Sequence, residues 1–532
     1  PGVRFVLPPA QAQFSANGTD WHPVYQSGDT YARFSSDGGT SWTSAVPLGA
    51  SPPSVTFLSK SGYNSILFLI DGKLYSAAGA TDSYPAYTTG VYTTGKAPRL
   101  GIYNMHNVNF PEPGDNKIKK VGGGGYYDVA FALFHNGNLY TWGKNSSGSC
   151  GLGHTSIVTH PTLAATGVLD VFYHPSQGEY DVSYSAIFVL KPDGLYAAGY
   201  NGFGKLGVGN TATQTAFTKC TGLPNNSASD ILKVYPIGST YGFTFVLTSD
   251  NRLWFSGRNN TGVAGDGTTT DKTSFADVTS YWVTPGKTLV DIKVSGGSRY
   301  YSAVDSDSGS QPVAIILLKY SDGTSEIKTC GYNEYGSLGD GTTSNRSTPV
   351  LPIGLPRDGS VIDIAGFGSS PMTCQALCSD GRLYAWGYNE HGQVGDGTTT
   401  NKTTPVLVAT GVTKLFSDGM TSQFSGFCVQ SFIQKADGLY MCGYNDAFGY
   451  AGMGVNVASH VLTYSKVWLP GDDNHVTDMG HTTNHGGGRA LVALTSKGNL
   501  YVWGYNGKKQ ICDNSTNNFP IPQRVPLPRY AK

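Results

Sequence analysis

Asp380-Gly-Arg-Leu-Tyr-Ala-Trp-Gly387, running on as Tyr388-Asn-Glu-His-Gly-Gln-Val-Gly395-Asp-Gly-Thr398 and closing with Thr404-Pro-Val-Leu407, is the stretch whose reading decides the fold. Asp-Gly between apolar runs is the strongest short signal for a β-hairpin, with both turn residues expected at positive φ. The segment after it alternates, placing Leu383 and Tyr384 on opposite faces of a short strand. The glycine-spaced Asn loop then changes direction, and the proline-started segment reads as a further strand.

The same phrase occurs eight times. Its terminal glycines are Gly79, Gly143, Gly199, Gly257, Gly331, Gly387, Gly443 and Gly504. An apolar strand precedes each turn, as in Ser65–Ile70, Phe243–Leu247 and Ala490–Leu494, and a further short strand ending in glycines lies upstream, as in Ile118–Val121. Downstream, Asn-x-x-Gly-x-apolar-Gly recurs at Asn201, Asn333 and Asn389, and Asp-Gly-Thr follows in three copies, at Asp266, Asp340 and Asp396. Each unit therefore supplies four short strands and no long helix. Four-stranded antiparallel units at near-constant spacing form propeller blades, and a lone blade cannot bury both its faces. The chain is predicted to be all-β, a β-propeller of four-stranded blades over 51–532 with a small N-terminal β segment over 1–50. Seven blades is the favoured count, with the first copy partly adapted as a connector, because Ala80–Tyr87 replaces its Asn loop. Eight blades is the alternative.

The order strand, glycines, apolar strand, Asp-Gly, Leu-Tyr-Ala-Trp-Gly, Tyr-Asn-x-x-Gly-x-Leu-Gly, Pro-Val resembles the regulator-of-chromosome-condensation repeat. The resemblance covers roughly residues 54–528, and 380–408 is similar to bacterial and phage versions of that repeat. It implies a ring of blades, usually seven. A eukaryotic member of that family binds chromatin and activates nucleotide exchange on a small GTPase. The surface features of that role are not visible here, so a GTPase regulator ranks lowest among the functions considered.

Residues 1–50 differ from the repeats and are expected to form an extended arm and a β-hairpin. Ser35-Ser-Asp-Gly-Gly-Thr-Ser-Trp42 resembles the Asp-box, a hairpin turn of sialidases and other β-proteins, and is a fold element rather than a catalytic one. Tyr31–Trp42 also resembles segments of phage tail-fibre and tail-tip proteins. The start, Pro1-Gly2-Val3-Arg4, has no basic region followed by an apolar core. Loss of an initiator methionine is the plain expectation, with synthesis in a host cytoplasm.

Charge excludes some functions. Lys plus Arg and Asp plus Glu are 36 each, and charged residues make up 14% of the chain against about 25% on average. Nucleic-acid binding needs clustered cations, and the one tight cluster, Lys117, Lys119 and Lys120, is balanced by Glu112 and Asp115. No apolar run is long enough to cross a membrane as a helix. Cys330 and Cys442 share a repeat position with Trp142, Trp386, Trp503, Ala198 and Ser256, which marks it as a packing position and the cysteines as structural. No second cysteine pair or histidine set completes a zinc site beside Cys374 and Cys378.

Catalytic chemistry finds no foothold. Asp-Gly recurs in nearly every unit and is structural by repetition. No nucleophile elbow or triad is present. The glycine runs Gly122–Gly125 and Gly486–Gly488 lead into no helix that would hold a phosphate. His475, His481, His485, Asp472 and Asp473 form the densest His/Asp patch and read as a polar loop. Asp305-Ser-Asp-Ser-Gly309 lacks the later glutamate of a calcium loop. No cofactor and no metal are implied, and a non-enzymatic role is expected.

The expected function is binding. Tyr, Asn, Ser and Thr at near-zero net charge suit adaptable contact surfaces. The leading reading is a virion tail component, a tail fibre or tail tip, that recognises a host surface protein or glycan through propeller loops and meets other tail proteins through residues 1–50. A bacterial adhesin or interaction scaffold, located outside the cell, is the alternative. Receptor contacts are placed where the copies disagree most: Tyr84, Tyr87, Tyr92 and Tyr103; Tyr173 and Tyr180; Phe448, Tyr450 and Trp468.

Overall fold

The computed structural model describes residues 108, 110–111, 117–123, 129–174, 185–238, 241–297, 311–367, 372–416, 430–445, 448–454, 459–471, 474–483, 489–506 and 517–525, and before residue 108 the strand segments alone. The chain is a succession of antiparallel sheets whose strands follow one another in chain order. Seven sheets have four strands. An eighth, the last, has the same four plus one parallel strand. The first sheet contains Val55–Phe57, Ser65–Ile70, Lys73–Ala78 and Met105–Asn107. The copy read as a connector is therefore a sheet of its own. The second contains Ile118–Gly123, Val129–Phe134, Leu139–Gly143 and Val158–Ala165. The third to seventh repeat this pattern over 170–219, 231–277, 289–350, 361–409 and 412–467. The eighth contains Val476–Thr483, Arg489–Thr495, Leu500–Gly504 and Phe519–Val525, with Ser61–Tyr63 paired parallel to Val476–Thr483.

Among the described residues seven apolar seams hold the sheets together, one between each consecutive pair. Leu74 and Val108 of the first sheet pack with Val121 and Trp142 of the second. Phe243, Phe245 and Phe255 of the fourth pack with Ile292, Ile316 and Leu318 of the fifth. Phe432 and Met441 of the seventh pack with Leu491 and Trp503 of the eighth. The parallel strand Ser61–Tyr63 links the last sheet back to the first copy. Because a second strand is covered on both faces by neighbouring sheets, Val129–Phe134, Phe243–Thr248 and Thr373–Cys378 are buried at every position. Fourth strands are half-exposed, and prolines at positions 161, 349, 405 and 520 sit in them. Proline on an edge strand discourages pairing with a foreign strand.

The Asp-Gly turns differ from the expected geometry. Only the glycine takes positive φ, at +81° in Gly323 and +83° in Gly381. The preceding aspartate instead accepts the backbone N–H two residues on, as Asp322 does from Thr324 and Asp380 from Arg382. These are Asx-type turns closed by a left-handed glycine. Asn251 fills that left-handed place in the fourth sheet, at φ +65°.

In the N-terminal segment, Gln11–Ser15, Tyr31–Ser35 and Val46–Pro47 form a three-stranded antiparallel sheet. Beyond Ser35, the Asp-box-like motif lies outside the described residues. Among the described residues no helix is long and apolar enough to cross a membrane.

Candidate functional site

Each sheet has two ends. The Asp-Gly hairpins join second to third strands at one rim of the ring. The Asn loops join third to fourth strands at the other, where the connections between first and second strands also emerge.

The recurring asparagine builds its loop. Asn389 is fully buried. Its Oδ1 accepts the N–H of Val394 at 2.8 Å, and its Nδ2 donates to the carbonyls of Thr398 and Thr400 at 3.0 Å each. Asn145, Asn259 and Asn333 repeat the pattern. The loop then leans on the next sheet. Gly397 N donates to Leu462 O, Gly341 N to Thr403 O, Gly267 N to Ser347 O and Gly209 N to Thr273 O. A Cβ on Gly336, at φ +78°, would lie 2.7 Å from the Cα of Thr403, so only glycine allows this approach.

The position shared by Trp, Cys and Ser is more than a packing position. In the fourth to eighth sheets its side chain donates to a loop carbonyl of the preceding sheet. Trp386 Nε1 donates to Ser337 O at 3.0 Å and Trp503 Nε1 to Tyr450 O at 3.0 Å. Cys330 donates to Gly262 O, Cys442 to Gln393 O and Ser256 to Lys205 O. Six cysteines are buried thiols. Burial pushes the thiols of Cys220, Cys330, Cys374 and Cys442 well above the usual range. A thiol reagent applied to the folded protein is therefore expected to label at most two of the eight cysteines, Cys428 and Cys512, and all eight in denaturant. Mass spectrometry counts the labels.

Charge within these loops cancels locally. Lys272 pairs with Asp266, Arg346 with Asp340 and Lys402 with Asp396, at 2.6–2.7 Å. Burial alone would raise the three carboxyl pKa values. Hydrogen bonds from the paired cation and from Thr268, Thr342 or Thr398 outweigh it and hold all three below the ordinary value. Their unfolded pKa is about 3.9. The unfolded chain therefore binds more protons in the acid window, and the stabilisation is present above that pH and lost as pH falls through the folded values. The melting temperature should be flat with respect to these groups from about pH 5 to 8 and fall below about pH 4. Asp396→Asn should lower the plateau and flatten part of the acid limb.

Aromatic rings flank the buried asparagines and meet across sheets. Tyr332 and Tyr335 lie 6.4 Å apart, and Tyr335 meets Tyr388 of the next sheet edge-on at 5.4 Å. Tyr388 meets His391, which stacks on His460 at 5.1 Å, and both histidines touch Tyr444. Tyr444 meets Tyr450, Tyr450 meets Phe448, and Phe448 meets Tyr505 of the eighth sheet at 5.1 Å. The row thus crosses the fifth to eighth sheets. His391 Nδ1 and His460 Nε2 lie 2.9 Å apart, a bond that needs one donor and one acceptor. Tyr335, Tyr444, His460, Phe448 and Tyr505 are half-buried, whereas Tyr332, Tyr388 and His391 are buried. Exposed carboxylates edge the row. Tyr388 OH donates to Glu390 at 3.0 Å, and Tyr332 OH donates to Glu334. Burial and then the Glu334 carboxylate push the Tyr332 phenol well above its ordinary pKa.

Across the fourth sheet the chemistry changes. Arg258 takes the place that Tyr388 has in the sixth, beside the asparagine. Its guanidinium lies 4.4 Å from the Phe203 ring centre and pairs with Asp271 at 3.0 Å.

The residues expected to bind divide between the rims. Tyr450 is buried core and its carbonyl is bonded to Trp503, so it offers no contact surface. Phe448 belongs to the aromatic row. Tyr173 is half-buried against Phe131, in the seam between the second and third sheets. Trp468 is 62% exposed and follows a fourth strand, so it stands on the hairpin rim. Tyr84, Tyr87, Tyr92, Tyr103 and Tyr180 lie outside the described residues. Of the His/Asp patch, His481 is buried on the first strand of the last sheet and His475 is exposed, and Asp472, Asp473 and His485 lie outside the described residues, as does Asp305–Gly309. No group of three or more metal-ligating side chains occurs among the described residues.

Sequence reasoning assigned the Asn loops to the fold alone and missed the aromatic row. The signal was present as Tyr332-Asn-Glu-Tyr335 and Tyr388-Asn-Glu-His391, aromatic at both ends and acidic between. The hairpin rim also holds an unforeseen feature. A bulge at the start of most first strands exposes one extra residue, and in the fourth to sixth sheets this position is apolar: Leu232, Val290 and Ile362. The residue after it bridges to a neighbouring sheet, as Lys120 does to Asp170 and Lys233 to Asp291, and Lys293, further along its strand, pairs with Asp363.

Two segments, 136–171 and 380–419, match the family described as regulator of chromosome condensation (RCC1) repeat. The chain is 25% identical over 415 residues to the ultraviolet-B receptor UVR8 of Arabidopsis thaliana, covering 76% of this chain and 81% of that protein. It is 28% identical over 358 residues to the human E3 ubiquitin-protein ligase HERC2, covering 65% of this chain and only 6% of that much longer protein. Among solved structures it is similar to yeast RCC1 (Prp20) bound to Kap60, with a TM-score of 0.48 at 18% identity, covering 74% of this chain and 84% of the other. Human WBSCR16 gives the same score and identity, covering 74% and 94%.

Proposed function

We propose that this RCC1-type β-propeller is a non-enzymatic binding protein that recognises a protein partner with its Asn-loop rim. The observation that carries the reading is the aromatic row across the fifth to eighth sheets. Aromatic rings, held by packing and by hydroxyl–carboxylate bonds, give contact area at little entropic cost. The rim belongs to a rigid ring, which suits recognition.

The test is site-specific photocrosslinking in the cells that make the protein. A photoreactive residue at position 335 or 505 should capture a discrete partner. The same residue at Ile353 or Leu407, exposed near and on outer strands, should not. Equal capture at all four positions, or capture at the outer positions alone, would defeat the reading.

A narrower reading makes the partner a host-cell surface and the assembly a virion tail, joined through residues 1–50. It rests on the neutral, tyrosine-rich composition. It requires the purified ring to adsorb to host cells and to block infection. A folded ring that does neither removes it.

A further inference from the structure

We infer that the Asn-loop rim over the fifth and sixth sheets receives an arginine-bearing segment of its partner, the guanidinium lying on the Tyr335–Tyr388 rings and pairing with Glu334 and Glu390. This rests on the proposal that the rim is the binding face and adds the chemistry of what binds.

Three observations converge on it. The first is charge. Within these loops the cations are already engaged, Arg346 by Asp340 and Lys402 by Asp396. Glu334 and Glu390 are exposed, and among the described residues neither has a Lys or Arg partner, so this part of the rim carries uncompensated negative charge. The second is preorganisation. Each carboxylate accepts the hydroxyl of the tyrosine two residues before it, which fixes it beside the ring. The third is internal precedent. In the fourth sheet the molecule places its own Arg258 in this setting, over Phe203 and against Asp271. The rim geometry thus accepts a planar cation between an aromatic face and a carboxylate. Over the next two sheets tyrosine takes the arginine's place and Asn345 and Asn401 take that of Asp271, while carboxylates stand instead at Glu334 and Glu390, beside the tyrosine rings.

Arginine suits such a site better than lysine. Its planar group stacks on a ring and forms directed bonds to a carboxylate at the same time. The contact would be electrostatic in part and weaken with salt.

The experiment uses the full chain and fluorescent Gly/Ser dodecapeptides bearing two arginines at spacings of one to eight residues, with matched lysine and glutamate sets. Binding is read by anisotropy at low and high salt. The arginine set should bind several-fold more tightly than the lysine set, and the glutamate set should not bind. Glu334→Gln with Glu390→Gln keeps an acceptor for each tyrosine hydroxyl. It should weaken arginine binding at least tenfold and reduce its salt dependence, with the melting temperature unchanged. Asp322→Asn with Asp358→Asn, exposed acids of the hairpin rim, should leave binding intact. Equal binding of arginine and glutamate peptides, no binding, or indifference to the two glutamine substitutions would overturn the inference. If crosslinks at 335 and 505 still capture a partner in that case, the binding rim stands and only its arginine chemistry fails. If those crosslinks fail too, both fall.

Discussion

Trp386→Ala is expected to destabilise the ring by about 3–5 kcal/mol, the range for deleting a buried aromatic side chain. Trp386 is fully buried in the seam between the fifth and sixth sheets, among Leu338, Ile364, Met372 and Cys374. Its indole also donates to Ser337 O in the loop of the preceding sheet. The substitution therefore opens a cavity and weakens the latch between two sheets. Trp386→Phe keeps most of the apolar contact and removes the donor, so it should cost about 1–2 kcal/mol. Urea denaturation followed by far-UV circular dichroism measures both. A loss below about 1 kcal/mol for the alanine variant would show that the seam collapses around the gap and that the indole does not hold the two sheets together.

Asn389→Ala is expected to cost about 3 kcal/mol without removing any apolar contact. The side chain serves Val394 N–H and the carbonyls of Thr398 and Thr400. Buried polar groups left without a partner cost about 1–3 kcal/mol each. Asn389→Asp should be no better. It keeps the acceptor for Val394 but turns a carboxylate toward two carbonyls and toward Asp396, to which the native Nδ2 donates at 3.2 Å. Asn401→Ala, which removes one acceptor from the N–H of Asn389, should cost about 1 kcal/mol. Hydrogen exchange adds a local readout: Val394 and Gly397 should lose protection in the Asn389 variants before the core strands do. Full protection of both would mean that the loop is held by its contact with the seventh sheet instead.

Much was legible before any coordinates. The eight copies of the strand–turn–strand phrase appear as eight sheets, because a hairpin turn and a two-residue alternation are local properties that each copy specifies for itself. Removing Asp-Gly from the catalytic candidates also followed from repetition, and Asp380 indeed serves its own turn. The first copy shows the limit of that reasoning. Its replaced Asn loop suggested a connector, yet Ser65–Ile70 and Lys73–Ala78 carry enough pattern to pair as a sheet.

The candidate site was less legible. Divergent tyrosines seemed the natural contacts, yet Tyr450 is core and Trp468 stands on the opposite rim from Phe448. The aromatic row lies instead where the copies largely agree. Tyr335 and Tyr388 are 53 positions apart and become neighbours only when two sheets stack. The same holds for His391 with His460, for Trp386 with Ser337 and for Glu390 as an exposed charge beside a neutralised Asp396. Strand order, turn positions and the apolar face of every strand are set by neighbours in the chain, and the sequence by itself determined them. Which rings meet, which carbonyl an indole reaches and which carboxylates stay uncompensated depend on the packing of one sheet against the next. Only the tertiary structure decided those, because they are distances across seams that no single repeat contains.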